Sequence, residues 1–281
     1  MSYAFKTALL LAVLTGILLG VGYLVGGASG LTIAIVLSVL MNFGMYLWSD
    51  KIALKMYRAQ KADPRKHKQL IDIVRELSQK ADIPMPSVYV VPSQTPNAFA
   101  TGRGPKKASV AATEGILHLL SKHELKGVIA HELAHVKHRD VLIATVAATI
   151  AGIISYVAFM ARWAAIFGGM GGDGDGENIL SLLVLAILTP ILATIIQLAI
   201  SRSREYAADA GGARIVGHGE YLARALEKLE GANKRRPMRA STEAGASMFI
   251  VNPFSRQGLT RLFSTHPPVK ERVKRLRTMY G

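Results

Sequence analysis

Long stretches without a charged residue dominate the hydrophobic pattern of this chain. The first, Thr7–Ser49, is long enough for two membrane helices of about 20 residues each, separated by a tight turn at Gly26–Gly30. Two more stretches cover Val141–Ala161 and Asn178–Ser201, and Pro190 predicts a kink in the latter. A cleaved signal peptide is a competing interpretation of the first stretch, but a second apolar span follows at once. The pattern therefore predicts four membrane-spanning helices.

The segments between these stretches carry shorter patterns that predict a mixed α and β domain. An Asp-Pro pair predicts a helix from Asp63 to about Lys80, with an apolar face along its length. The valine-rich segment Ser87–Val91 predicts a strand. Asn97–Thr101 and Ala108–Ala112 flank a Gly-Arg-Gly-Pro sequence, and this arrangement predicts a β-hairpin.

Two candidate helix N-caps, Thr113 and Ser121, follow the hairpin. Ser121 and Glu124 have the spacing of a capping box, which predicts a helix that runs on, with a bend, into the third membrane span. The chain is therefore predicted to be a mostly α-helical integral membrane protein, with four transmembrane helices plus an α+β domain that contains a small β-sheet. Its predicted parts are residues 1–49 (transmembrane helices 1 and 2), 50–140, 141–201 (transmembrane helices 3 and 4 with a short outside loop) and 202–281.

The charge distribution orients the predicted spans. The chain carries 34 Lys and Arg residues and a formal net charge of +15. Nearly all of these basic residues lie in 50–140 and 202–281, so the positive-inside rule places both segments and both termini in the cytoplasm. The glycine-rich turn and the acidic loop at 163–177 would then lie outside. Basic residues beside apolar spans favour binding to anionic lipid. The sequence contains no basic stretch interleaved with aromatic residues, so nucleic-acid binding is not predicted.

A His-Glu-Leu-Ala-His sequence at residues 131–135 is the strongest chemical signal in the chain. Residues four apart on a helix differ by about 40° in direction, so His131 and His135 point the same way and could hold one metal ion. Glu132 projects at a neighbouring angle, where it could polarise a metal-bound water. The chain has no cysteine, so every further ligand must be His, Asp or Glu.

A zinc site of this kind also needs a third ligand and an acceptor for the N–H of a ligand imidazole. Glu205 and Asp209 are candidates for these two roles, because residues four apart share a helix face. Glu205 is predicted as the third zinc ligand. Asp209 is predicted to accept the N–H of a ligand imidazole and so to define its tautomer. The competing interpretations are a solvated Glu205 paired with Arg202 and a surface Asp209. His138 is an alternative ligand, but the glutamate completes the site better, and we interpret His138 as an interfacial polar residue.

The position of these residues predicts a site at the edge of the membrane. His135 shortly precedes the third span and Glu205 shortly follows the fourth. At about 1.5 Å per helical residue, both would lie on the order of 10 Å from the membrane boundary. Two histidines and one glutamate suit zinc.

Several motifs together resemble a known family, the HtpX membrane metalloproteases. They are the His131–His135 sequence, the Glu-Tyr-Ala-Ala-Asp sequence at 205–209, Asn97–Ala100 and Thr265-His266-Pro267-Pro268. These bacterial quality-control proteases are related to the CAAX prenyl proteases, and the resemblance covers nearly the whole chain. It implies a cytoplasmic, gluzincin-like zinc protease domain, anchored in the bacterial inner membrane, that cleaves unfolded or damaged membrane proteins.

The resemblance also implies roles for individual residues. It implies one zinc ion per chain with three protein ligands, His131, His135 and Glu205. Glu132 would be the general base. Asn97 and His266 would lie near the substrate cleft, where they bind the substrate backbone or stabilise the oxyanion. On the residues alone, each of these two is equally an ordinary turn residue beside proline.

Three other functions are compatible with parts of the pattern. A narrow-specificity processing protease of the CAAX type would use the same zinc chemistry. A non-catalytic zinc-binding membrane regulator would keep the ligands but would not need Glu132. A transporter is disfavoured, because no predicted span has a charged residue at its centre.

Overall fold

The computed structural model describes residues 3–168, 176–235 and 266–279. Its helices are α1 (Tyr3–Met56), α2 (Lys68–Lys80), α3 (Glu114–Leu119), α4 (Lys122–His138), α5 (Asp140–Gly168), α6 (Gly176–Val216), α7 (Glu220–Arg235) and α8 (Val269–Thr278). Its strands are β1 (Gln60–Lys61), β2 (Ser87–Val91), β3 (Ala98–Gly102) and β4 (Ala108–Thr113). Residues 169–175 of the predicted outside loop, and Thr265 of the His-Pro motif, lie outside the described residues.

The chain divides into two compact units, each built from two separate stretches of sequence. The first unit consists of Met1–Tyr46 and Ile143–Ser201 and contains the long apolar helices. The second consists of Leu47–Leu142 and Arg202–Gly281 and contains the sheet and the described motif residues.

The apolar helices of the first unit have the length and composition of membrane spans. Within the described residues, Asp140–Met160 and Ala186–Val216 are long and apolar enough to cross a membrane, and Phe5–Val21 is a shorter apolar stretch. Two of the four predicted spans are therefore present by this measure. The other two coincide with α1, in which Gly27 leaves the helical conformation with φ 56° and ψ −152°. Such a backbone favours glycine, and the break is narrower than the predicted turn.

The helices of this first unit bury apolar side chains against one another and also expose apolar side chains on their outer surface. Leu14, Ile154 and Ala193 belong to a small core shared by three helices. Ile187 and Leu192 are about half exposed, at 54% and 51%, and many other large apolar side chains of these helices point outward as well. An apolar outer surface of this kind suits contact with lipid.

The sheet of the second unit places β3 at an edge. Among the described residues the strand order is β1-β2-β4-β3, with β2 and β4 parallel and the other two pairs antiparallel. The predicted strand and hairpin are confirmed, whereas the short β1 was not predicted. The hairpin closes through Gly102, where a Cβ atom would lie 2.1 Å from the carbonyl oxygen of Lys107. With φ at 129°, this position requires glycine.

The helix starts of the second unit depend on local hydrogen bonds. Thr113 accepts the Ile116 N–H at the start of α3, and Ser121 and Glu124 form a reciprocal capping box at the start of α4. Both predicted caps are confirmed. The prediction that a helix begins at Asp63 was wrong, because Asp63 Oδ1 instead accepts the backbone N–H two residues later and stabilises a turn before α2.

Helix α4 is the centre of the second unit and packs against β3, α2 and α7. It ends at a left-handed residue, Arg139 (φ 56°), and α5 starts at the next residue. The helix that starts at Ser121 was predicted to run on, with a bend, into the third membrane span, but the structure has two separate helices, α4 and α5. Helix α6 approaches α4 closely at Gly212, where a Cβ atom would lie 2.8 Å from the backbone nitrogen of His131. This close approach brings the C-terminal part of α6 against the motif on α4.

Candidate metal centre

Three side chains from α4 and α6 come together in the second unit. The Nε2 atoms of His131 and His135 are 3.1 Å apart. Glu205 Oε2 lies 3.7 Å from His131 Nε2, and Glu205 Oε1 lies 3.5 Å from His135 Nε2. Among the described residues, these three form the one group of His, Asp or Glu side chains close enough to share a metal ion.

The spacing of these donor atoms fits a tetrahedral metal ion. Zinc bonds of about 2.0–2.1 Å at tetrahedral angles place neighbouring ligand atoms about 3.3 Å apart. The two Nε2 atoms are 3.1 Å apart and Glu205 Oε1 lies 3.5 Å from His135 Nε2, and these two distances bracket that value. The 3.7 Å distance to His131 Nε2 is that of the second oxygen, Oε2. Two imidazoles and one carboxylate form a ligand set typical of catalytic zinc, which leaves a fourth position for water.

The second nitrogen of each histidine faces an aspartate. His131 Nδ1 lies 3.0 Å from Asp209 Oδ1, and His135 Nδ1 lies 2.8 Å from Asp140 Oδ2. A carboxylate only accepts hydrogen bonds, so at His135 Nδ1 carries the hydrogen and Nε2 presents its lone pair towards the shared position. At His131 the aspartate is close to Nδ1, but the pair does not have hydrogen-bond geometry. Asp209 thus lies beside His131, the imidazole that it is predicted to orient. Asp140 was missed, although its place five residues after His135 was visible in the sequence.

Each of these aspartates is also paired with a buried arginine. Arg204 contacts Asp140, and Arg272 of α8 donates through Nε and Nη2 to both oxygens of Asp209 at 2.9 and 2.7 Å. Sequence reasoning missed both arginines. The one available signal was that Arg272 lies on the same face of α8 as the buried Leu276, where an amphipathic helix normally has an apolar residue.

Comparison with known proteins decides the family. The sequence profile of peptidase family M48 matches residues 64–280. The chain belongs to this peptidase family. This M48 peptidase is 55% identical to a protease HtpX homolog of Syntrophotalea carbinolica, over 98% of each chain. It is 52% identical to a protease HtpX homolog of Thermococcus kodakarensis, over 97% of this chain and 94% of that one.

A solved structure shows the same fold at low identity. The crystal structure of S. mikatae Ste24p matches 94% of this peptidase and 62% of its own chain, with a TM-score of 0.60 and 18% identity. The matches to the M48 profile and to the HtpX homologs confirm the predicted HtpX resemblance, and the chain is a metalloprotease. Membership of a protease family also counts against the alternative of a non-catalytic regulator.

Glu132 of the M48 peptidase lies next to the ligands and is buried. Burial raises the pKa of Glu132 above its ordinary value, against the lowering influence of His131, His135 and the backbone N–H of Ala100 on β3. A carboxyl with a raised pKa is suited to accept and release a proton near neutral pH. The Ala100 contact also ties Glu132 to the edge strand.

The pKa of His135 and that of Arg272 show how strongly the site is charged. Burial by itself lowers the pKa of His135, but the contacts with Asp140 and Glu205 raise it well above its ordinary value. A proton therefore competes with a metal ion for His135. Burial also acts to lower the pKa of Arg272, and the carboxylates of Asp209 and Glu205 raise it above its ordinary value, so the guanidinium stays charged.

The two remaining predicted site residues occupy different places in the peptidase. His266 Nδ1 lies 3.0 Å from Glu205 Oε2, so the structure brings His266 to the metal ligands. Asn97 is buried at the start of β3, where its backbone N–H donates to Thr113 Oγ1 of β4. His138, the alternative ligand, lies instead against the position of Gly211 on α6.

Proposed function

We propose that this M48 metalloprotease is a membrane-embedded zinc endopeptidase that cleaves misfolded or damaged membrane proteins at the cytoplasmic face of the bacterial inner membrane. The observation that carries the proposal is the group of His131, His135 and Glu205, whose donor spacing suits zinc. In sequence this group adjoins the apolar helices, since α5 starts five residues after His135 and the charge-free stretch ends at Ser201. A protease active close to lipid is suited to substrates that are themselves in the membrane.

The proposed chemistry assigns one task to each side chain. His131, His135 and Glu205 would hold one zinc ion, with Asp209 orienting His131. Bound zinc lowers the pKa of a water molecule and polarises the substrate carbonyl. Glu132 would take the proton of the attacking water and deliver it to the nitrogen of the leaving amine. Its raised pKa suits both steps.

We propose that the edge strand β3 positions the substrate. In the described sheet β3 is an edge strand, and an extended peptide can add to such an edge through backbone hydrogen bonds. Asn97, at the start of this strand, would bind substrate backbone, and His266 would help to stabilise the oxyanion. Backbone pairing tolerates many sequences, which suits the removal of misfolded chains.

The proposed topology follows from charge and hydropathy. Residues 1–49 and 141–201 would form four transmembrane helices, and 50–140 and 202–281 would form the two parts of a cytoplasmic protease domain. Both termini would be cytoplasmic. The basic side chains of the domain would face anionic lipid, so the partners are polypeptide substrates and the bilayer, without nucleic acid.

The test compares the full-length wild type with Glu132→Gln, both purified in detergent. Each protein is freed of metal by a chelator, reloaded with zinc, and given an unfolded soluble protein and a misfolded membrane protein as substrates. Zinc-dependent cleavage by the wild type is expected, with loss of cleavage but retention of one bound zinc in Glu132→Gln. Cleavage of only one short sequence motif would indicate the processing protease instead. Full activity of Glu132→Gln would refute the general-base role.

A further inference from the structure

Arg272 is a fully buried charge that contacts three residues of the metal site, Glu205, Asp209 and His131. Its side chain has a relative exposure of 0%. Besides its two hydrogen bonds to Asp209, Nη1 lies 3.2 Å from Glu205 Oε2 and Nη2 lies 3.4 Å from His131 Nε2. Burying an unpaired charge costs several kcal/mol, so a guanidinium is retained in such a place only where its partners compensate for it. Here those partners are Glu205, a predicted metal ligand, and Asp209, the residue predicted to orient His131.

The two oxygens of Glu205 have different surroundings. Oε2 lies 3.2 Å from Arg272 Nη1 and 3.0 Å from His266 Nδ1. Oε1 lies 3.5 Å from His135 Nε2. Oε2 also lies 3.7 Å from His131 Nε2, but the guanidinium and the His266 ring nitrogen are closer to it. Oε1 faces His135 of the metal group.

We propose that Arg272 is a positioning residue that limits Glu205 to a single metal-binding oxygen, Oε1. This inference rests on the proposed zinc site. A carboxylate that binds through one oxygen leaves a three-ligand set with an open fourth position for water, whereas two oxygens would raise the coordination number to five. Helix α8 is then a structural part of the metal centre, although it supplies no ligand.

Arginine is suited to this task and lysine is not. The planar guanidinium has two edges, and here Nε and Nη2 anchor on Asp209 while Nη1 reaches Glu205. An ammonium group keeps the charge but cannot span the two carboxylates in a defined plane. Arg272→Lys therefore removes the positioning and retains most of the electrostatics.

Cobalt(II) reports the coordination number directly, because its visible absorption is stronger in four-coordinate than in five-coordinate sites. The full-length wild type and Arg272→Lys are reconstituted with cobalt in detergent, and metal affinity is measured by competition with a chelator. We expect Arg272→Lys to lose visible absorption per bound cobalt and to bind metal about 10- to 100-fold more weakly. Arg277→Lys is the matched control, because Arg277 lies on the same helix and pairs on the surface with Glu220 and Glu227. Its spectrum should equal that of the wild type.

Each outcome of the cobalt experiment has a distinct meaning. An Arg272→Lys protein with the wild-type spectrum and affinity would overturn the inference. A wild type that fails to bind one cobalt per chain would instead refute the proposed metal site. If circular dichroism shows that Arg272→Lys is unfolded, Asp209→Glu replaces it, since the longer carboxylate displaces the anchor of the guanidinium and keeps the charge. A wild-type cobalt spectrum in folded Asp209→Glu would likewise overturn the inference.

Discussion

Replacing Gly212 by alanine separates the stability of the fold from the geometry of the metal site. The added Cβ would lie 2.8 Å from the nitrogen and 3.0 Å from the Cα atom of His131, and both are backbone atoms. Ordinary contact starts at 3.4 Å, so α6 and α4 must separate by about 0.6 Å (3.4 minus 2.8) along this line. Productive metal and catalytic geometry tolerates about 0.5 Å of displacement. Glu205, on the same helix, would therefore be displaced from the two histidines.

The effect of this substitution on folding is smaller, because two terms oppose each other. Overpacking costs about 1–3 kcal/mol. Replacement of a helical glycine by alanine gains about 1 kcal/mol through helix propensity. We therefore expect Gly212→Ala to lose at most about 2 kcal/mol of stability, while zinc affinity falls at least about 10-fold and activity falls by up to about 100-fold.

Zinc titration calorimetry and thermal unfolding of the detergent-purified proteins test this expectation. Gly231→Ala is the matched control, because a Cβ at that position of α7 meets nothing within 4 Å. It should bind zinc as the wild type does and unfold at the same or a slightly higher temperature. If Gly212→Ala bound zinc with unchanged affinity, the argument that close helix approach positions Glu205 would be refuted.

Two further substitutions test the surroundings of the site and the start of its helix. Asp140→Asn weakens the hydrogen bond to His135 Nδ1 and should reduce zinc affinity about 10- to 100-fold, as measured by competition with a chelator. Circular dichroism should show little change in secondary structure. An affinity equal to that of the wild type would show that His135 is oriented by packing alone. Ser121→Ala removes the cap of α4 and should destabilise the protein by about 0.5–2 kcal/mol in denaturant titrations, while the zinc affinity of the folded protein stays unchanged. A loss of affinity in Ser121→Ala without a loss of stability would contradict this separation of roles.

Local patterns predicted several features of the fold because their causes are local. The capping box at Ser121 involves residues three apart, and the hairpin of β3 and β4 is closed by a short glycine-containing turn. The local pattern at Asp63 misled because the same side chain can stabilise either a helix start or a turn. Neighbouring sequence does not decide between these two uses of an aspartate.

The sequence by itself determined the metal-binding pattern, since helical periodicity places His131 and His135 on one face and Glu205 and Asp209 on another. Only the tertiary structure decided how these faces meet. The contact of Arg272 with Asp209 joins residues 63 positions apart, and that of Arg204 with Asp140 joins residues 64 positions apart. The sequence does not show such pairing: the periodicity of α8 marks Arg272 as a basic residue on an apolar face, but it does not name the partner. The role of both arginines arises when packing buries the charge beside the carboxylates that compensate for it.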